Sequence, residues 1–254
     1  SQLQKGVLLK ITNNLLTPDI NNNITVSDMI TGYGVSESIN HFYNIYGGEV
    51  KNKKIIVQGW GNVASSAAYY QALSGAKIVG IIDKNGGLIN QDGFSLKEIK
   101  KLFLHKNKNT LNSKDILSYD EVNSKIWDLK AEIFIPAAAS RLINQKQIEK
   151  MISNGLELIS CGANVPFADS EIFFGPISEF TDKKISVIPD FIANCGMARV
   201  FAYLMQNNAS ITDVEIFNDT SKTIKKALEE TYSSNNSRFN LSRTAFKIAL
   251  NKII

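Results

Sequence analysis

The chain has 254 residues, of which 44% are hydrophobic and 20% charged, as in a globular protein with one large domain or slightly more. No apolar run is long enough to cross a membrane, and residues 1–20 lack the features of a signal peptide, so we expect a cytoplasmic protein. The net charge of +4 comes from scattered lysines, which argues against nucleic-acid binding, and two cysteines are too few for a disulfide framework or a zinc site.

The N-terminal segment differs in character from the rest of the chain. Residues 3–16 are compatible with a helix, and residues 17–20 (TPDI) and three asparagines at 21–23 follow it. This segment is too short to form a domain by itself.

A glycine turn follows the first strongly apolar run. Residues 54–58 (KIIVQ) read as a buried strand, and Gly59 and Gly61 lead into a small-residue helix that begins near Asn62. The first glycine permits a tight turn, the second lets the backbone approach a ligand, and the small Ala64 lets the helix pack closely on the strand. Free N–H groups and the helix dipole then favour a pyrophosphate at the helix N-terminus.

A second apolar strand, residues 77–82, ends at Asp83, about 20 residues beyond the glycines. An acid in this position is placed to accept hydrogen bonds from the hydroxyls of an adenosine ribose. These residues alone also allow another βαβ unit, of the flavodoxin-like kind, with an incidental Gly-x-Gly turn.

Strand-like runs and helical patterns alternate along most of the chain. This alternation predicts an α/β fold with a mostly parallel, doubly wound sheet. Residues 107–125 read as an irregular surface excursion, and the chain after Asp190 reads as helical. The predicted strands are 54–58, 77–82, 131–135, 156–160 and 185–189, and the predicted helices include 62–74, 95–105, 144–153, 221–232 and 241–253.

Five segments in this order resemble the glutamate/leucine/phenylalanine/valine dehydrogenase family, from about residue 29 to the C-terminus. Each is a loop at the carboxyl edge of a predicted strand or leads into one, where open α/β sheets bind ligands. The segments are 31–35 (TGYGV), 58–63 (QGWGNV), 135–138 (IPAA), 162–166 (GANVP) and 188–196 (IPDFIANCG).

The resemblance implies an enzyme with a substrate domain and a Rossmann-type cofactor domain on either side of a cleft. The implied reaction is NAD(P)-dependent oxidative deamination of an L-amino acid to a 2-oxo acid and ammonia, in an oligomer without nucleic-acid or membrane partners. On this basis residues 1–28 are a remnant of the substrate domain, residues 29–205 the cofactor domain and residues 206–254 C-terminal helices. A non-catalytic dinucleotide-binding module that regulates or scaffolds a partner is the alternative.

The family pattern assigns one group of residues to the phosphate and adenosine half of the cofactor. Gly59 forms the turn, and Gly61, Asn62 and Val63 face the pyrophosphate. Asp83 takes the adenosine ribose and favours NAD, because a carboxylate repels the 2′-phosphate of NADP; Lys84 beside it softens that preference.

A second group resembles the residues around the nicotinamide half. Ala137 and Ala138 match the pair that lies along the cofactor, and Asn164 matches the asparagine at the nicotinamide ribose. Asn194 matches the asparagine that positions the carboxamide, and Thr31 matches the threonine that contacts the nicotinamide amide. Neutral amides suit these roles, since each both donates and accepts hydrogen bonds.

The catalytic half of the family pattern is only partly present. Asp19 resembles the aspartate that donates and accepts protons in the cleft, whereas the lysine in a glycine-rich loop that activates water has no counterpart. The chain by itself is therefore expected to lack full turnover. A 2-hydroxy-acid dehydrogenase would need a catalytic histidine, for which His41 and His105 are the candidates.

Overall fold

A computed structural model describes residues 1–252, so residue 253 of the last predicted helix lies outside the described part. Six strands form one sheet in the order β3-β2-β1-β4-β5-β6, in which β3 is antiparallel to β2 and every other neighbouring pair is parallel. The doubly wound α/β prediction is thereby confirmed. The strands are β1 (Lys54–Gln58), β2 (Lys77–Asp83), β3 (Gly86–Phe94), β4 (Ile133–Pro136), β5 (Leu158–Ser160) and β6 (Ser186–Ile188).

Helices cover both faces of the sheet. Alternate residues of β1 point to opposite sides, so that Ile55 and Val57 join one buried cluster and Ile56 joins the other. This double burial explains why the parallel strands read as continuous apolar runs. The helices are α1 (Gln2–Val7), α2 (Val26–Tyr46), α3 (Asn62–Leu73), α4 (Leu96–Leu104), α5 (Tyr119–Lys125), α6 (Gln145–Ser153), α7 (Pro176–Lys184), α8 (Asp190–Ala193), α9 (Gly196–Leu204), α10 (Asp213–Ser234) and α11 (Leu241–Asn251).

The first helix is much shorter than residues 3–16 predicted. It ends at Val7, and the chain then runs as an irregular segment beside α10. The N–H groups of Thr12 and Asn13 donate to Asp213 Oδ2 at 2.7 and 3.0 Å. Backbone donors used in this way are not available to a helix, so a tertiary contact replaces the expected local structure.

The excursion at 107–125 is irregular only in its first part. Helix α5 occupies Tyr119–Lys125, and its Ser118 and Glu121 form a capping box. A similar capping box, Ser95 with Glu98, starts α4 at the beginning of the helix predicted over 95–105. Among residues 1–252, no helix is long and apolar enough to span a membrane.

Candidate functional site

A cleft of about 710 Å³ opens at the carboxyl ends of β1 and β4. The sheet order places β1 and β4 side by side, with their following connections leaving on different sides. Ligands of open α/β sheets bind at such a switch point. Seven of the residues assigned from the sequence line the cleft: Gly59, Gly61, Asn62, Val63, Asp83, Ala137 and Ala138.

Gly59 is required by the protein itself. Its φ is +96°, a conformation that favours glycine, and a Cβ there would stand 2.7 Å from the Ala137 carbonyl oxygen and 2.8 Å from Ala138 Cα. The N–H of Gly59 donates to the Ile82 carbonyl at 2.7 Å. The turn is therefore held against both neighbouring strands, which brings the two predicted alanines to the cleft.

Gly61 has a different role, because its φ of −73° suits any residue. A Cβ there would meet Asn109 at 3.7 Å, an ordinary contact, so the protein itself has room for a Cβ at this position. The first helical hydrogen bond of α3 runs from Ser65 N to the Gly61 carbonyl, at 3.0 Å. The N–H groups of Asn62, Val63 and the buried Ala64 precede it and lack intrahelical acceptors, as an anion site at a helix N-terminus requires.

Asp83 ends β2 at the edge of the cleft and is only 7% exposed. Its Oδ2 accepts the backbone N–H of Leu111 at 2.8 Å. The carboxylate thus anchors the irregular segment that follows α4 beside the cleft. Lys84 follows it and also lines the cleft.

The first turn of α3 carries a polar network that the sequence did not predict. Asn62 Nδ2 donates to Asp28 Oδ1 at 3.1 Å, and the Lys106 ammonium donates to Asn62 Oδ1 and, at 3.3 Å, to Ser65 Oγ. Burial lowers the pKa of Lys106 to about 8, against an opposing effect of Asp28. Thr25 and Asp28 form a capping box at the start of α2, and their Thr-x-x-Asp spacing is the one sequence signal that could have pointed to this network.

The two asparagines of the nicotinamide group contact each other. Asn194 Nδ2 donates to Asn164 Oδ1 at 2.7 Å and to the Gly162 carbonyl at 3.3 Å. A Cβ on Gly162 would stand 2.7 Å from Ala137 Cβ, so the pair adjoins the cleft along the same sheet edge. Val165 beside it has φ +45°, which is strained for a β-branched residue and is held by a 2.9 Å bond from its N–H to Asp190 Oδ2.

Thr31 lies near both groups of predicted residues because α2, which carries it, packs closely against its neighbours. A Cβ on Gly32 would stand 2.4 Å from the Val63 carbonyl and 2.7 Å from Ala67 N. On the other side, a Cβ on Gly196 would stand 2.8 Å from Thr31 Cα. Helix α2 thus lies between the start of α3 and the turn after Asn194, and it places Thr31 between the two groups of predicted residues.

Asp19 lies apart from these groups in a local turn. Its carboxylate accepts the N–H of Asn21 at 2.9 Å and Asn22 Nδ2 at 3.0 Å. The hydroxyls of Tyr69 and Tyr70 bind the carbonyls of residues 17 and 16. This anchor is on the second half of α3, about 10 Å along the helix from its N-terminus. The acid/base role of Asp19 stays a prediction.

The two candidate histidines lie outside the cleft, and so does Arg199 on α9, the arginine that follows Asn194 by five residues. His41 Nε2 lies 2.9 Å from Ser221 Oγ between α2 and α10, and His105 ends α4 on the surface. Neither lines the cleft, so the arrangement gives no support to a histidine-dependent 2-hydroxy-acid dehydrogenase. Arg199 forms a two-point ion pair with Asp219 on α10, with Nη2 and Oδ1 2.9 Å apart.

Comparison with known proteins supports the same identification. The sequence model for glutamate/leucine/phenylalanine/valine dehydrogenases matches residues 24–254. The NADP-specific glutamate dehydrogenase of Psychrobacter sp. strain TAD1 is 26% identical over 80% of this chain and 45% of that protein. The NADP-specific enzyme of Saccharolobus shibatae is 30% identical over 65% of this chain and 37% of that protein. The cryptic catabolic NAD-specific glutamate dehydrogenase of Bacillus subtilis is 25% identical over 88% and 50%.

Solved structures share the fold. A glutamate dehydrogenase superposes with a TM-score of 0.72 at 21% identity, over 90% of this chain and 52% of that one. The hetero-hexameric glutamate dehydrogenase of Thermus thermophilus gives 0.67 at 16% identity, over 89% and 51%. The chain thus spans about half the length of these proteins. With the family match over nearly all of its residues, the chain belongs to the glutamate/leucine/phenylalanine/valine dehydrogenase family.

Proposed function

We propose that the chain binds a nicotinamide dinucleotide and is the cofactor domain of an L-amino-acid dehydrogenase of the glutamate dehydrogenase type. The observation that carries the proposal is the cleft at the β1–β4 switch point, where the Gly59–Gly61 turn, the N-terminus of α3 and Asp83 meet. A 2-oxo acid and an L-amino acid would be product and substrate of the whole protein. The curated relatives, all glutamate dehydrogenases by name, support this reaction class.

The residues present fit such a cofactor. Gly61, which lines the cleft without a side chain, and the three N–H groups at the start of α3 suit a pyrophosphate, and Asp83 suits a ribose diol. The bound nicotinamide would supply the hydride acceptor. Asn164 and Asn194, already joined by a hydrogen bond, would orient its ribose and carboxamide, and Thr31 would contact the amide from α2.

NAD is proposed as the preferred cofactor over NADP. Asp83 is buried at the end of β2, where its charge would face the 2′-position of the ribose and repel a phosphate there. Lys84 lines the same cleft and reduces the difference. Relatives of both specificities occur among the matches, so this choice rests on Asp83.

Catalysis is proposed to require residues beyond the cofactor cleft. Asp19 is the proposed proton donor and acceptor of this chain, and to serve in that way it must leave the local turn that it caps. The water-activating lysine of the family pattern has no counterpart among the 254 residues. We also propose that the full-length protein is a homo-oligomer; the hetero-hexameric structure from Thermus thermophilus supports an oligomeric state but not the identity of the subunits.

A fluorescence titration of the chain with NADH, and separately with NADPH, tests the binding proposal. We expect saturable binding in the micromolar range with NADH preferred. Preference for NADPH would overturn the role of Asp83 while leaving the cleft in place. No binding of either nucleotide would contradict the proposed function itself.

A further inference from the structure

An unexpected negative charge lies beside the anion site. Asp28, in the first turn of α2, accepts Thr25 N and Thr25 Oγ1 at Oδ2, both at 2.9 Å. Its other oxygen accepts Asn62 Nδ2 at 3.1 Å, which places the carboxylate next to the first residue of α3. A phosphate at that helix N-terminus would be repelled by this carboxylate if nothing compensated it.

The compensating charge comes from Lys106, two residues beyond the end of α4. Its ammonium donates to Asn62 Oδ1 and to Ser65 Oγ, both on the first turn of α3, and it lies 4.9 Å from the centre of the Phe103 ring. Asn62 is thus held between an anion at its Nδ2 and a cation at its Oδ1. With the amide reversed, its oxygen would face the acceptor oxygen of Asp28 and its NH2 group would face the donor ammonium of Lys106.

We propose that Lys106 is a positioning residue for the phosphates of the dinucleotide: it neutralises Asp28 and fixes the Asn62 side chain at the start of α3. This inference deepens the proposed function and rests on it. The lysine acts through Asn62 and Asp28, so the α3 N–H groups meet the pyrophosphate in a neutral surrounding and the Asn62 side chain stays out of its way.

The test is a double-mutant cycle that removes the charges of Lys106 and Asp28 in the full chain. Removing the cation in Lys106→Met leaves Asp28 uncompensated and should weaken NADH binding about tenfold, as expected for a charge near a helix terminus. Asp28→Asn together with Lys106→Met removes both charges and should restore most of the affinity. Lys106→Arg should retain binding. Lys100→Met removes the same charge from an exposed position of α4 and should leave affinity unchanged.

Each outcome separates this inference from the proposed function. If Lys106→Met binds NADH as tightly as the wild type, or if the double variant unfolds at the same temperature as Lys106→Met and binds NADH no better than it does, the inference is wrong while the cleft remains a dinucleotide site. If NADH does not bind to the wild type, a thermal-shift titration with inorganic pyrophosphate serves as a second test. If pyrophosphate then stabilised the wild type but not Lys106→Met, the result would support the role of Lys106 at a phosphate site and contradict binding of a nicotinamide dinucleotide there. No effect of either probe on the wild type would overturn both proposals.

Discussion

The two glycines of the first turn are needed for different reasons. Gly59 has positive φ and no room for a Cβ between Ala137 and Ala138, so the fold requires it. Gly61 has an ordinary φ and lines the cleft, and a Cβ added there would lie 3.7 Å from its nearest neighbour, Asn109. A substitution at Gly61 therefore separates ligand binding from folding, whereas one at Gly59 disturbs both.

Gly61→Val should fold and lose NADH binding. Valine tolerates φ −73°, and its side chain would fill the space left for the phosphates. We expect a loss in helix-cap stability of about 1 kcal/mol or less and no detectable saturation in the NADH titration. Gly59→Ala is the matched variant, and its unfolding temperature should fall by more than that of Gly61→Val. Retained affinity in Gly61→Val would show that this turn is not the phosphate site.

The affinity for NADH should decline with rising pH through the titration of Lys106. Burial lowers the pKa of its ammonium to about 8, and Asp28 on α2 is the charged group that opposes this effect. A bound phosphate favours the protonated form, so affinity is full below this pKa and falls above it towards that of Lys106→Met, about tenfold lower in all. NADH titrations from neutral to alkaline pH measure the decline. Lys106→Met is the control and should show a flat profile over the same interval.

Sequence motifs predicted the residues that line the cleft but missed those that position them. Gly59, Gly61 and Asp83 occupy fixed places in a strand–turn–helix pattern, so local reasoning finds them. Lys106 reaches Asn62 from 44 residues away through an irregular segment. No local periodicity records such a contact, because it depends on where the end of α4 lies across α3.

At the level of elements, the five parallel strands and the start of α4 were predictable, whereas the antiparallel strand β3, the helix α5 and the N-terminal segment were not. Capping residues act within one turn, so Ser95 and Glu98 start α4 where the sequence indicates. The segment after Val7 is instead determined by Asp213, whose Oδ2 accepts two backbone N–H groups and the Thr12 hydroxyl. Helix propensity is a local property, so it takes no account of a hydrogen-bond partner 200 residues away in the chain.

Asp213→Asn should loosen the N-terminal segment. Asp213 accepts on both oxygens, since Oδ1 binds Val214 N at 2.9 Å, and an asparagine can satisfy only one side. We expect a loss of about 1–3 kcal/mol in unfolding free energy and faster hydrogen exchange at Thr12 and Asn13. Glu215→Gln, an exposed carboxylate in the same helical turn, should cost much less. Unchanged exchange at Thr12 and Asn13 would contradict this role.

The hydrogen bonds to Asp213 should also make the free energy of unfolding depend on pH. Burial alone would raise the pKa of Asp213, but bonds from the backbone N–H groups of Asn13, Thr12 and Val214 outweigh burial and lower it. A depressed pKa adds stability at neutral pH that is lost as the pH falls through the folded-state value. The difference in stability between wild type and Asp213→Asn should therefore narrow in acid.

At the scale of the whole molecule, alternation of strands and helices predicted the doubly wound sheet, and only the structure gave the strand order. The switch point between β1 and β4 follows from that order. Residues from the predicted remnant, the cofactor domain and the C-terminal helices share one buried cluster, among them Ile11, Ile55 and Leu228. The domain boundaries at residues 28/29 and 205/206 stay predictions, because a shared core does not test them.

The chain should bind the dinucleotide without oxidising amino acids. The cleft proposed to bind the cofactor is lined by residues at the ends of β1, β2 and β4 and at the start of α3, whereas the water-activating lysine of the family pattern has no counterpart in the sequence. Mixed with NAD and L-glutamate, L-leucine, L-phenylalanine or L-valine, it should form no NADH above background. Gly61→Val is the control for contaminating enzyme, since activity that survives in it does not come from this cleft. Sustained turnover that Gly61→Val abolishes would mean that the chain supplies its own water-activating group, and the search for that group would begin with Asp19 and Lys106.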